Sequence, residues 1–138
     1  MRMFLFSVSL LGACAAPQKP FQFATQSPDA LGAVTRTFAA QGQSVEKTDP
    51  QNGIVQTAWS DTGFGYGFIQ NSGQSYGATI HRRYTVIIAG KDVTVRADTK
   101  KCAAVPATGE LCEELNGLVP KHQEELNQLG ATLQQAMQ

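Results

Sequence analysis

The stretch Ala78–Thr99, ATIHRRYTVIIAGKDVTVRADT, reads as two strands joined by a turn. In the first, Ile80, Arg82, Tyr84, Val86 and Ile88 share one parity. A turn near Gly90-Lys91-Asp92 follows. In the second, Val93, Val95 and Ala97 fall on one face and Thr94, Arg96 and Asp98 on the other. A period of two sustained this long predicts an antiparallel sheet with one face buried and the other wet. Something apolar must cover the buried face.

Two segments have the helical spacing to do so. In SPDALGAVTRTFAAQG, Ser27 is the expected N-cap, Pro28 the first helical residue and Asp29 the first-turn acid. Leu31, Val34 and Phe38 follow at helical spacing, and Gly42 is a C-cap, predicting a helix over about 28–41. Near the C-terminus, Leu111, Leu115, Leu118, His122, Leu126, Leu129, Leu133 and Met137 form one stripe, which Pro120 should kink or restart. The remaining strands are FQFAT, SVEKTD and IVQTAW, the last two joined by the turn residues DPQNG, 49–53. The predicted order is β-α-β-β-β-β-α. This is an α+β fold with an antiparallel sheet and a long C-terminal helix across one face, a helix-grip-like arrangement.

The chain begins MRMFLFSVSLLGACAAP. A cation at Arg2, an apolar run over Phe4–Leu11 and the small residues Gly12-Ala13 form the layout of a secretory signal peptide. The run is shorter than the roughly 20 apolar residues of a membrane-crossing helix. Leu11-Gly12-Ala13-Cys14 resembles the lipobox of bacterial lipoproteins, in which the cysteine carries acyl chains and becomes the mature N-terminus. Several acyl segments, at about 0.8 kcal/mol per buried CH₂, anchor a chain stably. The competing reading is cleavage after Ala13 or Ala16 with Cys14 incidental. The expected organisation is a signal peptide over 1–13, a lipidated N-terminus and tether over 14–20, and one periplasmic domain over 21–138. Ala15 follows the cysteine; the sorting rule that the resemblance implies then favours the outer membrane.

Formal net charge is zero, so no general field recruits nucleic acid. Charged residues make up only 16% of the chain, which leaves amides and hydroxyls to make the surface polar. Beyond Cys14 two cysteines remain, Cys102 and Cys112; in an oxidising compartment they are expected to form a disulfide, pinning the sheet's end to the start of the final helix.

Residues that could carry chemistry are sparse. GFGYG, 63–67, lacks the Lys-Ser/Thr of a phosphate-binding loop and reads as a glycine-rich hairpin extension. His81 and His122 are far apart, and no set of three or four convergent metal ligands is visible, so neither metal nor cofactor is expected. Ser60, Asp61 and His81 could be drawn as a triad, but no GxSxG elbow supports it. Glu113, Glu114, Glu124 and Glu125 lie off the apolar stripe and read as solvated, so no catalytic residue is assigned and the chain is not expected to be an enzyme. Arg82, Arg83, Arg96, Lys100 and Lys101 could form a patch for lipid headgroups, peptidoglycan or an acidic partner. The plainer reading pairs them with Glu110, Glu113 and Glu114 of the nearby helix. Phe64, Tyr66 and Phe68 share one parity, with Tyr76 on the return, so Ser60–Gly77 is expected to be an exposed arm for a partner, its rings otherwise folding back onto the sheet.

DPQNGIVQTAW followed by HRRYTVII resembles small periplasmic domains of the lipoproteins of the outer-membrane β-barrel assembly machinery, its C component above all. In that family too a helix precedes a strand pair built on a Gly-hydrophobic-x-x-x-x-Trp pattern. The resemblance implies a lipid-anchored adaptor that contacts another envelope protein. Two such domains and an extended N-terminal segment occur there, whereas this chain has room for one domain. The alternative function is a module binding a small molecule or lipid in a cavity between sheet and helix, with Tyr84 and Trp59 lining it.

Overall fold

The computed structural model describes residues 15–138. The signal peptide and the acylation expected at Cys14 lie outside the described residues. The order is β1 (Phe21–Ala24), α1 (Ala30–Ala40), β2 (Val45–Asp49), β3 (Ile54–Thr57), β4 (Ser60–Asn71), β5 (Gln74–Ala89), β6 (Asp92–Val105), β7 (Gly109–Glu114) and α2 (Pro120–Ala136). All the strand pairings are antiparallel. The fold is therefore α+β, with a seven-stranded sheet and a long C-terminal helix across one face.

The quoted stretch is its spine. A tight turn at Gly90 and Lys91 pairs Ala89 with Asp92, and this register continues to Thr79 opposite Cys102. Each spine strand is longer than its neighbours, so two short strands share each outer edge. Along β5 lie β3 at Thr85–Ile87 and β4 at Gln74–Arg82; along β6 lie β1 at Asp92–Val95 and β7 at Lys100–Val105. Between them each edge has a notch, where a backbone N–H must find another acceptor. Thr57 Oγ1 accepts from Tyr84 N–H at 2.8 Å, and Gln18 Oε1 accepts from Ala97 N–H at 3.1 Å.

The predicted parity governs burial. Tyr84, Val86, Val93, Val95 and Ala97 are buried beneath Val34 and Phe38 of α1 and Leu126, Leu129 and Leu133 of α2. Phe38 stacks on Tyr84 with centroids 6.5 Å apart. Two glycines mark close approaches. Gly53, at φ 65°, lies where any Cβ would strike the Ile88 carbonyl, and Gly130 is where α2 meets the Phe21 ring.

Local details differ from the sequence reading. Asp29, not Ser27, caps α1: its Oδ1 accepts from Gly32 N–H at 3.1 Å. Pro120 opens α2 at N1 rather than kinking it. Leu111 lies in β7 and Leu115 in the segment before α2, so only the stripe from His122 onward is helical. The spacing of those two leucines fits a helix, but the outer edge of β6 offers ladder hydrogen bonds that win. Ser60–Gly77 is an ordered hairpin, β4 with the start of β5, and adds a strand to the expected order, as β7 does.

Residues 15–20, read as a tether, lie along the domain. Ala16 exchanges both backbone hydrogen bonds with Leu118, at 3.0 and 2.8 Å, and Lys19 exchanges two with the Gln123 amide.

Candidate functional site

The two faces of the spine carry different chemistry. On the helix side, Arg82 interrupts the apolar parity of β5 between Ile80 and Tyr84. Its guanidinium lies 4.7 Å from the centre of the Tyr84 ring and pairs with Glu125 of α2. Glu125 is thus an ion-pair partner, not the solvated residue expected. Arg82 also donates to His122 Nδ1 at 2.9 Å. With Nδ1 accepting, the neutral tautomer places the proton on Nε2, a buried atom with no hydrogen-bond partner. Burial, then the charges of Arg82 and Lys121, lower the His122 pKa from 6.5 to about 4, so it stays neutral at physiological pH. Burial likewise lowers the Arg82 pKa, opposed by Tyr84, and raises that of Tyr84, opposed by Arg82. Beside this cluster a cavity of about 360 Å³ opens between sheet and helices, lined by Gln41, Gln43, Arg82, Tyr84, Glu125 and Thr132.

Among the described residues no helix covers the opposite face. A cleft of about 480 Å³ runs across it, with Gln18, Gln56, Trp59, Arg83, Arg96 and Asp98 among its lining residues. Trp59 follows the end of β3 and is held between charges. The Arg83 guanidinium lies 4.6 Å and the Lys100 ammonium 4.4 Å from the centre of its ring, cation–π distances. Asp98 accepts from both Arg83 at 3.1 Å and Arg96 at 3.3 Å. Gln56 Nε2 donates to Thr85 Oγ1 at 2.9 Å. The cleft thus sets the donors Arg83, Arg96 and Gln56, with the carboxylates of Asp98 and Glu114, around one aromatic ring.

The five basic residues singled out in the sequence do not form one patch. Arg82 lies under the helices, Arg83, Arg96 and Lys100 face the cleft, and Lys101 pairs with Glu113 at 3.0 Å. Their expected acidic partners, Glu110, Glu113 and Glu114, are on a strand and not a helix. The triad drawn from Ser60, Asp61 and His81 does not assemble. Asp61 pairs across from His81, but Ser60 pairs with Arg82 one register step on, so its side chain takes the other face.

The four aromatics of the arm also separate. Register shifts flank Gly65, and Gly63 and Gly67 have positive φ, so shared parity does not mean a shared face. Phe64 is half-buried and stands edge-on to His122, centroids 5.8 Å apart, with the Lys121 ammonium 5.2 Å from its ring centre. Tyr66 is half-buried. Tyr76 packs on a small cluster of Ile69, Ala78 and Ala103, and its hydroxyl donates to Gln74 at 2.6 Å. Phe68 is 64% exposed, the one large hydrophobic side chain so exposed among the described residues.

Cys102 and Cys112 sit directly opposite each other on β6 and β7 in disulfide geometry, S–S 2.08 Å, closing a hairpin and not, as expected, tying the sheet to the final helix. The bridge has company that was missed in the sequence. A histidine nitrogen of His81, Cys102 Sγ and a carboxylate oxygen of Glu110 all lie within 4.8 Å of one another. The signal was there: pairing Ala89 with Asp92 across the turn already sets Thr79 opposite Cys102, with His81 two residues away on the same face. Among the described residues no helix is long and apolar enough to cross a membrane. No protein-family model matches this chain, and no curated protein sequence matches it.

Proposed function

We propose that this protein is a non-catalytic binding module of the bacterial envelope, lipid-anchored at Cys14 to the outer membrane, whose ligand is a polar molecule carrying an anionic group. One observation carries the reading: on the helix-free face, Trp59 is pre-positioned by Arg83 and Lys100 beside a second guanidinium, Arg96. A ligand carboxylate or phosphate accepts the donors that Asp98 now shares, while amide or hydroxyl groups meet Gln18 and Gln56. The helix-grip-like architecture supports the reading by holding this sheet rigid from behind. It departs from the expectation of a cavity between sheet and helix, since that smaller space is crossed by the Arg82–Glu125 pair.

Titration of the isotope-labelled domain with soluble muropeptides tests the proposal. Binding should move the Trp59 indole resonance together with the backbone of Thr85 and Asp98, and Arg83→Ala with Arg96→Ala should abolish it. Shifts confined to the helix side, or none at millimolar ligand, would overturn it.

A second reading, an adaptor for another envelope protein, is favoured by Phe68. A large aromatic left exposed near the tip of a hairpin is hot-spot material. Crosslinking from position 68 in intact membranes separates the two readings.

A further inference from the structure

The end of the sheet beyond the helices holds a group of side chains that the cleft does not use. His81 is only 14% exposed at its side chain, yet its Nε2 has carboxylates on two sides, Asp61 at 3.7 Å and Glu110 at 3.9 Å. Cys112 Sγ lies 3.5 Å from the other oxygen of Glu110. Four strands contribute: Asp61 from β4, His81 from β5, Cys102 from β6, and Glu110 and Cys112 from β7. Two sulfurs, one imidazole and one carboxylate are the donor set of a four-coordinate site for zinc or a similar borderline-soft divalent ion. In a tetrahedral site with metal–ligand bonds of about 2.0–2.3 Å, donor atoms stand roughly 3.3–3.8 Å apart. Two of these separations are already close to that, His81 Nε2–Glu110 Oε2 at 3.9 Å and Cys112 Sγ–Glu110 Oε1 at 3.5 Å, and Cys102 Sγ lies within 4.8 Å of both the His81 nitrogen and a Glu110 oxygen. The sulfur pair is closer, because it is covalently joined.

We propose that the Cys102–Cys112 bridge gates a metal site, and that the reduced chain binds one divalent zinc-like ion through Cys102, Cys112, His81 and Glu110. The gating step is a thiol–disulfide exchange. A dithiol gives two electrons and two protons to the bridge, the S–S bond breaks to two thiols, and the dithiol leaves as its own disulfide. Metal binding then releases the two thiol protons to solvent and forms two metal–sulfur bonds. The fold suits this exchange of one crosslink for another, because β6 and β7 are tied together in either state. Asp61, 3.7 Å from the same ring nitrogen, adds a negative charge beside the cation.

Cobalt is the probe, because four-coordinate cobalt with thiolate ligands gives intense visible absorption and a near-ultraviolet sulfur-to-metal transition. The protein is titrated with cobalt before and after reduction by a phosphine, and zinc competition follows. Reduced protein should bind one equivalent with both spectral features, and at least about 100-fold more tightly than oxidised protein. His81→Ala and Glu110→Gln should each weaken binding by about tenfold or more. Amide spectra of the helix-covered half establish that the reduced chain is still folded. Equal binding by oxidised and reduced protein, or an affinity unchanged in His81→Ala, would overturn the proposal. So would full affinity in the Cys102→Ser, Cys112→Ser double variant, which keeps the chain's fold in question separate from its ligands.

Discussion

The two ends of the spine are built from the same pair of strands but held together by different means. At the helix end, β1, β3 and β2 flank β5 and β6 beneath two helices, and large side chains such as Phe38, Leu126 and Leu133 are fully buried. At the far end, β4 and β7 flank the same strands, and helix cover is limited to the first turn of α2 against Phe64 of β4. The compact cluster there is Ile69, Ala78 and Ala103, two of the three alanine, with Ile80 and Val105 the other buried aliphatic side chains of that half. So small an apolar cluster excludes little surface from water, and at about 25 cal/mol per Å² it contributes little. The disulfide is at that end. Hydrophobic burial stabilises one half, and a crosslink compensates for its lack in the other.

Three measurements would break or sharpen that contrast. The largest effect is expected in the helix end. Leu126→Ala should lower unfolding free energy by about 2–5 kcal/mol, as a cavity under α2 that the sheet cannot close. Ile69→Ala at the far end should lower it by clearly less. Equal losses in chemical denaturation would mean the far cluster is as tightly packed as the main core.

Next comes acid. His122 has a folded pKa of about 4 against an ordinary 6.5, so below pH 6.5 the unfolded chain takes up a proton that the folded chain refuses. Stability should therefore fall as pH drops from roughly 6.5 to 4, by about 3 kcal/mol at most, and this slope should level off below the folded pKa. His122→Gln should flatten that part of the profile. Denaturation midpoints across this range, in wild type and variant, check the sign: a rise in stability on acidification would contradict a buried neutral imidazole.

The smallest of the three effects belongs to the bridge. With the cysteines ten positions apart, the closed loop is short, and reduction should remove about 2–3 kcal/mol. The location matters more than the size. Amide exchange should quicken in β7 and the outer half of β6 and stay slow in β1 and β3. Uniform acceleration would show that the two ends unfold as one unit.

How legible each end was in the sequence follows the same division. The parity of Ile80 to Ile88, the helical spacing of Leu31, Val34 and Phe38, and the DPQNG turn all belong to the helix end, where burial writes a period into the chain. At the far end that writing is faint. In GFGYGF glycine alternates with aromatics, and two register shifts cancel the parity the rings share in the sequence. In GELCEE one leucine falls in helical step with those downstream by coincidence, and the segment is a strand because β6 needs an edge partner. The site was divided likewise. Trp59 and Tyr84 look like neighbours around one pocket when read along the chain, but the sheet puts them on opposite faces. His81 and Cys102 were readable together only by extending the hairpin register across the whole spine.

The N-terminal strap has one more consequence. Ala16 is paired to Leu118, and Gln18 is fixed in the β6 notch, so the chain is fastened to the domain from its sixteenth residue. If Cys14 carries acyl chains as proposed, one residue, Ala15, separates it from the fastened Ala16, two Cα steps that span about 7 Å at full extension. A longer flexible leader would let the domain tumble and reach. This one would set its height above the bilayer and limit its tilt. Gln18, Asn116 and Gly117, beside the fastening point, also line the cleft, so that mouth would open next to the headgroups. A ligand arriving there would have to lie at the membrane surface, not out in the periplasmic space.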